Sequence, residues 1–73
     1  MKIDPYEELA NAIIIQAAKE YKQILKVLKV HPRNADAKYR AKEIEEFFLS
    51  KWFRDISNAN GEFIITELKE QYL

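Results

Sequence analysis

The sequence predicts an all-α fold: a long antiparallel helical hairpin, with helices over about 5–30 and 35–57, and a short third helix over about 62–72. Three observations predict it. No glycine or proline lies between Tyr6 and His31, so that stretch contains no helix breaker. Apolar residues recur at alternating steps of three and four, which gathers them on one face of a helix. Pro32 and Gly61 stand in the two places where that pattern stops.

The elements follow in order. Asp4 can cap the first helix, Pro5 suits its first turn, and Glu7 completes a D-x-x-E capping pattern. His31-Pro32 ends it, because a residue before proline is pushed out of the α region. Asn34 caps the second helix, and Asp36 and Arg40 form an i,i+4 pair on it. That helix is expected to run to Ser57. Ser57-Asn58-Ala59-Asn60-Gly61 reads as a turn, with positive φ expected at Asn60 or Gly61.

Ala10, Ile14, Ala17, Tyr21, Ile24 and Leu28 form the seam of the first helix, and Ala37, Ala41, Ile44, Phe48 and Trp52 that of the second. A short loop makes the two antiparallel neighbours, so Ile24 faces Ala41, Tyr21 faces Ile44 and Ala17 faces Phe48. Large side chains thus oppose small ones. Phe47, Phe48, Leu49, Trp52, Phe53 and Ile56 surround the end of the second helix, which needs cover on more than one side. Ile64, Ile65, Leu68 and Tyr72 of the third helix offer part of it, and Tyr6, Leu9 and Ile13 are expected to close the same cluster.

A chain of 73 residues is one small domain near the lower limit of independent folding. With no cysteine and one histidine it offers neither a disulfide nor a thiolate metal site. The apolar run Ala12–Ile15 is too short to cross a bilayer, and no signal-peptide pattern opens the sequence, so a cytoplasmic protein is expected. Net charge is zero but polarised: −2 over residues 1–18, +6 over 19–42 and −4 over 43–73. Lys19, Lys22, Lys26 and Lys29 stripe the first helix opposite the seam, and Arg33, Lys38, Arg40 and Lys42 surround the hairpin tip. This basic patch fits either a solvated helix face or a site for nucleic-acid phosphate. A helix-turn-helix reading fails on charge, since residues 62–70 carry three acids and one lysine.

Catalytic chemistry is not expected. His31 lies between Val30 and Pro32 with no partner carboxylate beside it, and suits a helix C-terminus. Glu43, Glu45 and Glu46 do not share one face, and Lys42 stands one turn before Glu46. Ser50, Ser57 and Thr66 lack a nucleophile elbow. The expectation is therefore a non-enzyme without cofactor or metal. Phe47, Leu49, Phe53, Val27 and Ile65 exceed the cover the chain can provide, which points to a protein interface, with a homodimer as one way to bury them. Phe47 and Phe53 are the expected anchors.

The segment Glu43-Ile-Glu-Glu-Phe-Phe-Leu-Ser-Lys-Trp-Phe53, the Asn-Gly-Glu-Phe-Ile-Ile-Thr-Glu-Leu that follows, and the Ala-Ile-Ile-x-Gln-Ala pattern at Ala12–Ala17 resemble a group of short uncharacterised proteins of phages and mobile elements in Gram-positive bacteria. The resemblance implies a phage or prophage setting inside a bacterial cell, and hence a host or phage protein as partner. It brings no activity and no site residues.

Overall fold

The computed structural model describes residues 5–73, and side chains from Glu7 onward. It is all-α: α1 spans Pro5–Val30, α2 Ala35–Phe48, α3 Lys51–Ile56 and α4 Gly61–Tyr72. The Asp4 cap and the side chain of Tyr6 lie outside the described residues. α1 ends at Val30, before His31-Pro32 as expected, and the Asn34 side chain accepts a hydrogen bond from the Ala37 amide at 3.0 Å to start α2. Asp36 and Arg40 pair across one turn at 3.2 Å, both well exposed.

The expected second helix is two helices. Leu49 closes α2, and Ser50 adopts an extended backbone with ψ of 159°. The Ser50 hydroxyl donates to the Phe47 carbonyl at 2.7 Å and accepts from the Phe53 amide at 3.1 Å. One hydroxyl thus closes one helix and caps the next, because serine competes locally for backbone groups. The break also changes which aromatic turns inward. Had the helix continued, Trp52 would lie one turn beyond Phe48 on the seam. Instead Phe53 is fully buried, and Trp52 is displaced to the surface beside Phe47, with ring centroids 5.5 Å apart.

The turn into α4 departs from expectation as well. Asn60 has φ of −90°, and no described residue has positive φ. Asn60 is the N-cap, accepting from the Phe63 amide at 3.2 Å. Gly61 serves close approach rather than backbone freedom. A Cβ there would collide with the Phe48 carbonyl oxygen and lie 2.7 Å from its carbon. The absent side chain lets the start of α4 rest on the end of α2.

Tyr21, Leu25, Ala41, Phe48, Phe53 and Ile65 form the core, with Ile14, Ala17, Ile24, Ile44, Leu68 and Tyr72 packed around it. Leu25 is fully buried although it lies off the two-helix seam. α1 carries a second inward stripe because α4 packs on it as well as α2. Phe47, Phe48 and Phe53 make mutual edge-on contacts, favourable for aromatic quadrupoles. A part-buried polar link joins three helices. The Tyr21 hydroxyl donates to Glu45 at 2.6 Å, and Lys69 stands 3.6 Å from the same carboxylate. Burial first, then that hydrogen bond and the Glu45 charge, push the Tyr21 phenol well above its ordinary value.

Candidate functional site

A pair of helices has two grooves, and α4 fills one. It meets α1 and α2 along the side bearing Leu25, Lys22 and Glu45. The other groove of the α1–α2 hairpin is open. Its residues come from α1 and α2 alone, and its two halves meet at Glu20.

One half is apolar. Ala12, Ile13, Gln16, Ala17, Glu20 and Phe47 line a cleft of about 350 Å³. Ile13 is 40% exposed and Leu9, one turn earlier on α1, is 61% exposed. Trp52, 39% exposed, continues the apolar surface from Phe47. Both Leu9 and Ile13 were expected in the aromatic cluster. Both lie outside the core cluster, on the side of the hairpin that α4 leaves open.

The other half is polar. Glu20, Gln23, Asp36, Tyr39, Arg40 and Glu43 border a groove of about 640 Å³ above Ile24 and Ile44. The hydrogen bond to Glu43, with that residue's charge, raises the Tyr39 phenol. Among the described residues no three His, Cys, Asp or Glu side chains converge on a point that could hold a metal ion. No described helix is long and apolar enough to cross a membrane.

The five apolar residues expected at an interface separate into two groups. Phe53 and Ile65 are buried in the chain's own core and present no surface to a partner, since α4 and the α2–α3 corner cover them. Phe47 is half-buried on the open groove, Leu49 is exposed at the α2–α3 corner, and Val27 is exposed on α1. Sequence reasoning missed Ile13 and Trp52 by assigning both to the interior. The signal that could have found them was Ser50, three residues before Phe53 and able to cap a new helix.

The basic patch is also divided. The Lys22 and Lys26 ammonium groups lie over the Tyr72 ring, 5.1 and 5.7 Å from its centroid, so part of the stripe borders α4; Lys22 is half-buried there and Lys26 stays exposed. Arg40 is held by Asp36. Lys19, Lys29, Arg33, Lys38 and Lys42 are exposed. Compared with family models, curated proteins and solved structures, the chain matches none.

Proposed function

We propose that this protein is a non-enzymatic protein-interaction module that docks its partner in the open α1–α2 groove. One observation carries the reading: Ile13, Phe47 and Trp52 form an apolar surface along the side of the hairpin that α4 does not cover. Apolar surface at a concave site, bordered by polar groups, is the common anatomy of a protein contact. In the phage or prophage setting that the resemblance implies, the module acts in the cytoplasm as a modulator of a host or phage protein. The test is affinity capture from the native host, comparing wild-type bait with Ile13→Arg. A partner retained by the first and lost by the second is expected. Equal capture by both baits would remove the groove from the reading.

Nucleic-acid binding is the second reading, favoured by an aromatic ring placed between Lys22 and Lys26. Both ammoniums already lie over Tyr72, however, which leaves less of its face for a base to stack on. Phosphate contacts would weaken steeply with salt. Failure to retain single-stranded or duplex DNA or RNA at low salt would end this reading.

A further inference from the structure

We propose that the occupant of the groove is a basic amphipathic helix of the partner protein, with apolar residues seated against Ile13 and Phe47 and Lys or Arg side chains paired with Glu20 and Glu43. The proposal rests on the groove being the interaction site and names the chemistry of what fills it. Periodicity makes the occupant a helix. On α1, Leu9, Ile13, Gln16, Glu20, Gln23 and Val27 step by 4, 3, 4, 3 and 4, a helix-packing stripe separate from those that meet α2 and α4. On α2, Asp36, Arg40, Glu43 and Phe47 step by 4, 3 and 4 along the same groove. Leu9, Ile13 and Val27 are all exposed on that α1 stripe. The opposite groove of the hairpin already takes a helix, α4. From Leu9 to Val27 the stripe is about 27 Å long, room for about five helical turns.

Charge makes that helix basic. Three carboxylates, Glu20, Asp36 and Glu43, border the groove against one cation, Arg40, which Asp36 already holds. Glu20 accepts a 3.3 Å hydrogen bond from the exposed Gln16 amide, and among the described residues neither Glu20 nor Glu43 has a cation partner. A helix lying in the groove crosses Glu20 where the apolar and polar halves meet, and takes that carboxylate out of water. A carboxylate buried without a partner is costly, and a Lys or Arg beside it offsets the cost. An acidic segment adds repulsion instead, so the same groups that admit a basic helix turn an acidic one away. The chain's own cations do not neutralise the groove, because Lys19, Lys22, Lys26 and Lys29 occupy a different face of α1.

Trp52 is the one tryptophan of the chain and lies beside Phe47, so its fluorescence reports on the apolar end of the groove. The probes are two synthetic, tryptophan-free helical peptides of about 18 residues, the length of the stripe. Both carry leucine at the a and d positions of one half. In the other half those positions are lysine in one peptide and glutamate in the other. The lysine peptide should shift Trp52 emission to the blue and bind about tenfold tighter than the glutamate peptide at low salt, with the difference shrinking as salt rises. Glu20→Gln combined with Glu43→Gln should remove most of the difference, whereas Glu62→Gln with Glu70→Gln, on α4, should leave it unchanged. Ala17→Leu, which fills the apolar cleft without altering charge, should weaken the lysine peptide. Equal binding of the two peptides, or tighter binding of the glutamate peptide, overturns the basic occupant. Binding that ignores both Ala17→Leu and the Glu20 and Glu43 changes places the contact elsewhere and also overturns it. If neither peptide binds, or if the chain alone sediments as a dimer that Ala17→Leu dissolves, the basic helix is not the occupant. The groove as interaction site still stands in that case when host capture is sensitive to Ile13→Arg.

Discussion

Tyr21 is fully buried in the core and carries both an aromatic and a polar contact. Its ring packs edge-on to Phe48, with centroids 6.5 Å apart, and its hydroxyl reaches Glu45. Tyr21→Phe should destabilise by about 1 kcal/mol, the usual net worth of a hydrogen bond, measured by urea unfolding at neutral pH. The alkaline limb should change with it. The folded-state phenol titrates above the ordinary value of 10.0, so its contribution is complete below pH 10 and is lost as pH rises beyond it, when the unfolded chain ionises first. A Tyr21→Phe protein should therefore lose stability less steeply above pH 10. The two seam alanines should differ. Ala41 is buried, and Ala41→Leu should overpack the core and cost about 1–3 kcal/mol in a thermal melt. Ala17 borders the open groove, where Ala17→Leu has room to turn outward, so its effect should be the smaller one. Equal losses at the two sites would contradict the groove being open there. Gly61→Ala should cost about 2–3 kcal/mol, since the new methyl meets backbone of Phe48 that cannot swing aside.

At the scale of elements, the hairpin was legible and the corner after it was not. Pro32 and Asn34 mark a loop with local chemical causes, and the alternating apolar spacing fixes which faces of α1 and α2 meet; Tyr21 indeed reaches Glu45, next to its expected partner Ile44. The break at Ser50 carries a weaker mark, a single serine able to cap a new helix. It contains no glycine or proline, and the apolar residues on both sides continue a helical period through it. What decides the break is tertiary: bending the chain buries Phe53 beside Phe48, a gain that a straight helix would forgo. Ser50 then makes the bend inexpensive by satisfying Phe47 and Phe53 at once. Ser50→Ala should remove both bonds and destabilise by about 1 kcal/mol, within the range for lost N-caps. Ser50→Asp should keep the cap to the Phe53 amide, but its carboxylate cannot donate to the Phe47 carbonyl, so partial rescue is expected. A melt unmoved by Ser50→Ala would mean that aromatic packing alone sets the bend.

The whole molecule is an elongated body of 45 × 22 × 20 Å in which α4, 12 residues long, packs on α1, of 26 residues, and α2, of 14. Of the five apolar side chains expected to exceed the chain's cover, Val27, Phe47 and Leu49 keep exposed surface and Phe53 and Ile65 do not. Periodicity counts apolar residues per face, but it does not show which face a third helix will choose. α4 takes the side of Leu25, and Ile65 and Phe53 go inside with it; Ile13 and Trp52 stay out on the opposite side. This arrangement gives α4 a large share of the core. Ile65 is buried and Ile64, Leu68 and Tyr72 pack against the core. Each such side chain is worth up to about 1.5–3 kcal/mol when fully buried. Together they rival the total stability of an ordinary domain, about 5–15 kcal/mol, and a chain this small stands at the lower end. A chain ending at Asn60 should therefore lose its cooperative thermal transition and retain only partial helicity, because isolated helices are marginal in water. Adding residues 61–73 back as a separate peptide should restore the transition in proportion to peptide concentration, since binding to the folded state alone stabilises it by mass action. A truncated chain that still melts cooperatively would show that α1–α3 form the folding unit by themselves and that α4 merely rests upon it.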